Sequence, residues 1–221
     1  ILLVSLGGTI TMTSGGGAGI VPTLTGADLV RAVPALARVA EIEAVSPFRL
    51  PGPSLTLANL REVARLLNER LAGDIAGAIV VQGTDTIEET AFVLDMLVGG
   101  DKPVVVTGAM RGAEAAGADG PANLLASAIV ASSQAARRLG TLVVLNDTVH
   151  AARFVQKANT FLPSTFTSFS GGPLGWVIEG KVRIDVRVER RAVIENGDGG
   201  SDAPVALLTA TIGDDGRMLA G

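Results

Sequence analysis

The fold is decided by residues 78–98, which read AIVVQGTDTIEETAFVLDMLV. The stretch begins with an apolar run, Ala78 to Val81, passes through a polar turn, and continues from Glu88 to Val98 as a segment that opens with two acids. A short apolar run bounded by turn residues is typical of a strand buried on both faces, and acids favour the first turn of a helix. We therefore predict a strand, a loop and a helix in that order.

The same alternation extends over most of the chain. Further apolar runs occur at Ile1 to Ser5, Pro103 to Thr107 and Thr141 to Leu145, and amphipathic helices are predicted at Thr56 to Leu71 and Ala122 to Leu139. Strands that alternate with helices pair in parallel and are covered on both faces. The fold class that we expect is α/β, with a large, doubly wound, mostly parallel sheet.

We expect two unequal domains. Residues 1–195 are predicted to form the large N-terminal domain, residues 196–202 (NGDGGSD) a linker, and residues 203–221 the start of a smaller C-terminal α/β domain. The apolar run Ala203 to Ile212 is predicted to be the first strand of the smaller domain. Because little sequence follows that run, we expect the smaller domain to need residues beyond Gly221.

Composition excludes several classes of protein. Only 18% of the 221 residues are charged and the formal net charge is -4, so a basic surface for nucleic acid is not expected. The chain has no cysteine, which excludes disulfides, thiolate metal sites and a cysteine nucleophile. No apolar run reaches the roughly 18 residues of a membrane span. We expect a soluble protein of the cytoplasm or the periplasm, with neither a nucleic-acid nor a membrane partner.

Hydroxyl groups and a carboxylate follow two of the predicted strands. Thr9 stands four residues beyond the first strand, and Thr84 and Asp85 follow Gly83 after the second. Since ligands of parallel sheets bind at the carboxyl ends of the strands, we expect these side chains to meet over one crevice. Gly8 and Gly83 would let backbone N–H groups approach a ligand closely, as an oxyanion or carboxylate site requires. The arrangement suits acyl transfer.

A threonine nucleophile needs a group that removes its proton. His150 is the only histidine, and we interpret it as a loop residue with satisfied hydrogen bonds rather than as the base. Lys157 remains, between the apolar residues Phe154 and Ala158, a setting that disfavours the ammonium form, whereas an arginine could not give up its proton there. Asp85 would orient the lysine or balance its charge.

Each of these residues also has a purely structural explanation. Thr9 could end a common turn, and Asp85 or Thr86 could cap the helix that follows. Lys157 could extend to solvent, and Ser54, which follows a Pro-Gly-Pro run, suits a turn. Residue by residue, the sequence indicates only a sheet enzyme of unknown substrate.

Taken together, the residues resemble the bacterial-type asparaginase and glutaminase family. Gly7-Gly8-Thr9-Ile10 is similar to the first signature of that family, and Gly83-Thr84-Asp85-Thr86 followed by Glu88-Glu89-Thr90-Ala91 is similar to the second. Four further segments match: Thr107-Gly108-Ala109-Met110-Arg111, Ala118-Asp119-Gly120-Pro121 with Asn123, Leu145-Asn146-Asp147-Thr148, and Lys157-Ala158-Asn159-Thr160. The resemblance extends to about Arg187.

The resemblance implies that residues 1–195 are the catalytic domain of an amidohydrolase that uses no cofactor and no metal. In such an enzyme Thr9 is the acylated nucleophile, and Thr84 and Asp85 bind the substrate and assist proton transfer. Lys157 is then the catalytic lysine, hydrogen-bonded to Thr84. Ammonia leaves when the acyl-enzyme forms, and water then releases aspartate.

The resemblance also implies an amino-acid amide as substrate and a homo-oligomer, either a dimer or a tetramer. Substrate contacts are expected from Gly83, Thr84, Asp85 and Ala109, and from Ser54 or, in its place, Gly52. Backbone N–H groups near Gly8 or Ala109 would stabilise the oxyanion. The preference between L-asparagine and L-glutamine stays open.

Two other functions are alternatives to this interpretation. Family members usually carry a tyrosine in the loop after the nucleophile, and this chain contains no tyrosine, so a catalytically weak or silent amino-acid-binding domain is the alternative. A dinucleotide-dependent oxidoreductase is disfavoured, because the loop after Ser5 lacks the G-x-G-x-x-G spacing.

Overall fold

The structure, a computed structural model, describes residues 1–14, 20–22, 24–190, 192–194 and 205–219; the side chains of Thr9, of residues 12–14 and of residues 20–22 are outside this description. The strands, in chain order, are β1 (Leu2–Ser5), β2 (Met12–Ser14), β3 (Ile20–Pro22), β4 (Glu43–Val45), β5 (Ala78–Val81), β6 (Val104–Thr107), β7 (Thr141–Leu145), β8 (Thr148–Ala151), β9 (Val155–Lys157), β10 (Phe166–Ser168), β11 (Gly175–Ile178) and β12 (Lys181–Ile184). The α-helices are α1 (Gly26–Ala32), α2 (Leu57–Ala72), α3 (Ile87–Leu97) and α4 (Gly120–Ser132).

Within the described residues, eight strands form one sheet in the order β12-β11-β8-β7-β6-β5-β1-β4. The neighbours from β4 to β7 are parallel, whereas β8, β11 and β12 add antiparallel pairings at one side. Two antiparallel hairpins, β2 with β3 and β9 with β10, lie outside this sheet. The predicted α/β fold with a large, mostly parallel sheet is confirmed.

Helices cover both faces of the sheet, and successive strand residues face opposite layers. In β1, Leu3 packs in the layer of α1 and α4, whereas Leu2 and Val4 pack in the layer of α2 and α3. In β5, Ile79 and Val80 divide in the same way, and all five side chains are fully buried. Because side chains alternate across a strand, a sheet covered on both faces needs apolar residues at every position. This is why the strands are continuous apolar runs in the sequence.

The order of the strands places a crevice at the end of β1. The chain passes from β1 to β4 on one side, then crosses back to β5 on the other side. Loops that leave such a reversal point diverge, and the carboxyl ends of the two strands that flank it form the usual ligand site of an open α/β sheet. The loops after β1 and β5 are the two that carry the candidate hydroxyls.

One connection has an uncommon hand. The chain steps in the same direction from β5 to β6 and from β6 to β7, yet α3 and α4 pack on opposite faces. The connections through α1, α2 and α3 all have the same hand, and the connection through α4 has the opposite hand. Connections between parallel strands are almost always right-handed, so the reversed, left-handed connection is the one through α4. The reversal places α4 on the face of α1, close to the loop after β1.

The helix predicted over Ala122 to Leu139 is too long. The helix α4 ends at Ser132, the next residue is extended (φ -83, ψ 133), and a short 3-10 turn, Gln134–Ala136, follows. The side chain of Ser133 accepts a hydrogen bond from the N–H of Ala135. A serine that bonds its own neighbouring backbone competes with the helix, which accounts for the early end. By contrast, the helix predicted from Thr56 is confirmed, and Thr56 is its N-cap residue, in a capping box with Asn59.

The strand predicted over Ala203 to Ile212 is wrong for the residues that the structure describes. Residues 205–212 form no strand there, and Val205, Leu207 and Ile212 are exposed. A strand requires a neighbour that pairs with its N–H and C=O groups, and this run pairs with none of the described strands. The predicted linker, residues 196–202, lies outside the described residues, so the domain boundary stays a prediction.

No helix in the described part of the chain is long and apolar enough to cross a bilayer.

Candidate active site

The loops after β1 and β5 touch through their glycines. Gly7 and Gly8 have φ values of +115° and +90°, which L-residues with side chains rarely adopt. A Cβ atom on Gly8 would lie 2.0 Å from the backbone nitrogen of Gly83. From the sequence we predicted that Gly8 and Gly83 let backbone N–H groups approach a ligand. The structure shows that the backbones of Gly8 and Gly83 pack directly against each other, which holds the two loops together.

A third loop packs against the same glycine. In the 3-10 turn Gly52–Ser54, a Cβ atom on Gly52 would lie 3.2 Å from the carbonyl oxygen of Gly83 and 3.1 Å from the Thr86 hydroxyl. Gly52 is buried there, whereas the side chain of Ser54 is exposed. Of the two residues expected to contact the substrate, Gly52 is therefore buried against the Gly83 loop. The role of Ser54 stays a prediction.

Lys157 joins the loop after β5 through two hydrogen bonds. Its Nζ donates to Thr84 Oγ1 at 2.9 Å and to Asp85 Oδ1 at 2.6 Å. The lysine side chain is only 13% exposed, whereas that of Asp85 is 66% exposed. The alternative in which Lys157 extends to solvent is therefore wrong. The pair places a mostly buried lysine side chain beside a carboxylate that still faces solvent.

The same loop also holds the lysine by its backbone. The carboxylate of Glu88, in the first turn of α3, accepts a hydrogen bond from the N–H of Lys157. Lys157 is the last residue of β9 and pairs with Phe166 of β10. Sequence reasoning assigned Glu88 only to the family signature and to the helix terminus, and it missed this contact between distant segments. The segment from Thr84 to Glu88 thus fixes both ends of the lysine.

The helix-cap explanation for these residues is wrong as well. Thr86 is the N-cap of α3, but its side chain makes no capping hydrogen bond. Its hydroxyl instead accepts from the side-chain amide of Gln82 at 3.2 Å. The carboxylate of Asp85 bonds Lys157 rather than the helix terminus. Neither side chain therefore caps the helix.

The predicted nucleophile lies in the loop after β1. Thr9 begins the 3-10 turn Thr9–Thr11, directly after the glycine that contacts Gly83. Its side chain is outside the part of the chain that the structure describes, so the predicted meeting of its hydroxyl with Thr84 and Asp85 stays a prediction. In the described residues no group of three or more His, Asp or Glu side chains is arranged to hold a metal ion.

His150 is not a loop residue, as the sequence suggested, but a member of β8. Its Nδ1 lies 2.8 Å from the hydroxyl of Ser168, and its Nε2 is buried without a hydrogen-bond partner among the described residues. Burial lowers the pKa of His150 to about 4. The ring is therefore neutral at pH 7, and one of its nitrogens supports the hairpin of β9 and β10 that carries Lys157.

This burial predicts a pH-dependent stability. The unfolded chain binds a proton at His150 with a pKa of about 6.5, so between that value and about 4 the unfolded state holds more protons than the folded state. The contribution is complete above pH 6.5 and is lost as the pH falls to 4, by about 3 kcal/mol. Urea unfolding of the wild type and of His150→Gln at pH 7, 5.5 and 4 measures it. Parallel pH dependences in the two proteins would contradict the assignment.

Comparison with known proteins confirms the resemblance to the asparaginase and glutaminase family. Residues 1–190 match the family model described as "Asparaginase, N-terminal". The chain is 38% identical over 186 residues to "Probable L-asparaginase 4" of Schizosaccharomyces pombe, which covers 82% of this chain and 52% of that protein. It is 36% identical over 189 residues to the "Glutaminase-asparaginase" of Acinetobacter glutaminasificans, which covers 82% and 56%.

A solved structure shows the same fold. The crystal structure of a "Probable Cytoplasmic L-asparaginase" from Campylobacter jejuni superposes with a TM-score of 0.90 at 28% identity, over 99% of this chain and 68% of that one. The chain spans just over half the length of the two curated relatives. The matched residues include every loop of the candidate site. The chain therefore belongs to the asparaginase family, and its residues 1–190 correspond to the N-terminal domain of that family.

Proposed function

We propose that this chain carries the catalytic domain of an amidohydrolase that releases ammonia from L-asparagine and forms L-aspartate through an acyl-enzyme on Thr9. The observation that carries the proposal is the hydrogen-bonded group of Lys157, Thr84 and Asp85, beside the loop in which Thr9 stands. Relatives named L-asparaginase and glutaminase-asparaginase support the substrate class. No cofactor enters the reaction.

The reaction would proceed by two displacements. In the first, the Thr9 oxygen bonds to the side-chain carboxamide carbon, the C–N bond breaks, and the hydroxyl proton leaves with the nitrogen as ammonia. In the second, water attacks the resulting ester, its proton returns to the Thr9 oxygen, and aspartate leaves. Both steps need a group that relays a proton and donors that stabilise the oxyanion.

The residues around the loop after β5 suit the relay. Because Lys157 donates to Thr84 Oγ1, the threonine hydroxyl is free to donate its own proton toward a substrate or a water molecule. The exposed carboxylate of Asp85 has acceptor positions left for the α-ammonium group of an amino acid. Backbone N–H groups near Gly8 or Ala109 would stabilise the oxyanion.

We further propose that the active form is a homo-oligomer, either a dimer or a tetramer.

The rival is a weak or silent amino-acid-binding domain, which the absence of tyrosine favours. Ammonia release measured with L-asparagine and with L-glutamine, in parallel with binding calorimetry, separates the two functions. We expect turnover of at least L-asparagine. Saturable binding of L-asparagine without ammonia release would identify the binding domain instead, and turnover of both amides would extend the substrate class to L-glutamine.

A further inference from the structure

The first turn of α4 holds the loop after β6 in place. The carboxylate of Asp119 accepts hydrogen bonds from two successive backbone N–H groups of that loop, those of Met110 and Arg111, each at 2.9 Å. Asp119 is the N-cap residue of α4, yet its side chain makes no capping bond to the helix. Its carboxylate therefore binds the loop and does not cap the backbone of the helix. Since both N–H groups are occupied, neither is available as an oxyanion donor.

Asn123, one turn further along α4, connects two loops. Its Nδ2 donates to the carbonyl oxygen of Gly108 and to Asp119 Oδ2, each at 3.0 Å, and its Oδ1 accepts from the N–H of Asn146 at 2.9 Å. The side chain is buried, and both donors and the acceptor of its amide are used. A buried amide with all its groups bonded has one orientation, so the loops after β6 and β7 are fixed relative to α4.

The loop after β6 in turn supports Thr84. A Cβ atom on Gly108 would lie 2.6 Å from the carbonyl oxygen of Gln82 and 3.2 Å from the methyl group of Thr84. The backbone of Gly108 is thus packed directly against the residue that accepts the hydrogen bond of Lys157. Displacement of Gly108 would leave the Thr84 side chain without support on this side.

The same turn of α4 supports the loop that carries Thr9. A Cβ atom on Gly120 would lie 2.8 Å from Ile10 Cγ1 and 3.4 Å from Ala109 Cβ. Ile10 is buried and directly follows Thr9 in the 3-10 turn. The reversed connection described above is what places α4 close enough for this contact. One turn of helix therefore touches the loop that carries Thr9 directly and reaches Thr84 through Gly108 of the loop after β6.

We propose that the first turn of α4 sets the positions of the Thr9 and Thr84 loops relative to each other, with Asp119 and Asn123 as positioning residues for the reaction. The inference rests on the proposed function, because it assigns the two loops to one site. Misplacement of reacting groups by about 1 Å lowers a rate by about 10²-fold, so a rigid common support is required. Neither residue touches the substrate in this account.

The test uses Asp119→Ala and Asn123→Ala, with Ser127→Ala as the matched control. Ser127 is buried on the same helix, and its hydroxyl bonds only the carbonyl oxygen of Asn123 in the contacts described, so its loss perturbs α4 but neither loop. We expect kcat to fall by about 10–100-fold in both test variants, with KM changed by less than about threefold, and kcat of Ser127→Ala to stay within about twofold of the wild type. Asp119 is partly exposed, so its variant is expected to fold even if Asn123→Ala does not.

Amide exchange measured by NMR tests the same inference without turnover. In Asp119→Ala the amides of Met110 and Arg111 should exchange at least about tenfold faster, and the amides of Thr84 to Glu88 should also exchange faster; Ser127→Ala should change neither. Unchanged exchange from Thr84 to Glu88 in both test variants would overturn the inference. If the variants show the expected changes in amide exchange but the wild type releases no ammonia, the positioning role stands and only the proposed function is refuted.

Discussion

Replacement of Thr9 by alanine should lower kcat for ammonia release from L-asparagine by about 10⁴–10⁶-fold, the scale on which hydrolases respond to loss of their nucleophile. The variant has no hydroxyl that can form the ester, and water must attack the amide directly. Affinity for L-aspartate, measured by calorimetry, should change little, because the groups proposed to bind the substrate are on other loops. The fold should survive, since Thr9 follows the glycine contacts and does not make them.

Thr9→Ser is the matched control, because it keeps the hydroxyl and removes only a methyl group. We expect it to retain a large part of kcat. If Thr9→Ala turned over as fast as Thr9→Ser, the nucleophile would have to be sought elsewhere, with Thr84 as the first candidate because it is hydrogen-bonded to Lys157.

Substitutions of Lys157 should have the second largest effect. Lys157→Arg keeps the charge but cannot release a proton near neutral pH, and Lys157→Met keeps the length without the charge. If the lysine relays a proton, both should lower kcat by about 10²–10⁴-fold, measured by the coupled ammonia assay across pH. Stability should fall by no more than about 1 kcal/mol through the lost ion pair, because Asp85 is mostly exposed and stays solvated.

Lys102→Met supplies the control for removal of a partly buried lysine. The Lys102 ammonium donates to the carbonyl oxygens of Leu71 and Gly73 at the end of α2. Lys102 precedes β6 and so lies at the amino-terminal end of the strands, away from the site. We expect a small loss of stability and an unchanged kcat. Nearly full activity of Lys157→Arg, with an unaltered pH profile, would reduce Lys157 to an electrostatic anchor and move the relay to Asp85 or to water.

The parts of the fold that depend on local pattern were predictable. Strands such as Ala78–Val81 could be predicted from the sequence, because a strand of a sheet covered on both faces has apolar residues at every position. The contact of Lys157 with Thr84 was expected only through the resemblance. Physical reasoning from the residues supplied the need for a base, and elimination of histidine and cysteine led to the same lysine.

What could not be predicted depends on contacts between distant segments. The fit of Gly8 against Gly83, and the hydrogen bond from the N–H of Lys157 to the carboxylate of Glu88, join residues that are 69 or more positions apart. The positioning contacts of Asp119 and Asn123 require α4 to lie on the face opposite to α3, and no local pattern encodes the hand of a connection. The early end of α4 was missed for a local reason, the bond of the Ser133 side chain to the N–H of Ala135.

The central claim is the acyl-enzyme on Thr9, and trapping it is the most direct test. A slow substrate analogue is mixed with the enzyme, the reaction is quenched rapidly in acid, and the protein is cut with trypsin. Cleavage after Arg31 ends the peptide that contains Thr9, whereas cleavage after Arg70 places Thr84 in a different peptide, so the two candidates separate before sequencing by mass spectrometry. We predict the acyl group in the peptide that ends at Arg31, located by fragmentation at Thr9. An acyl group at Thr84, or at no residue while ammonia is released, would contradict the account.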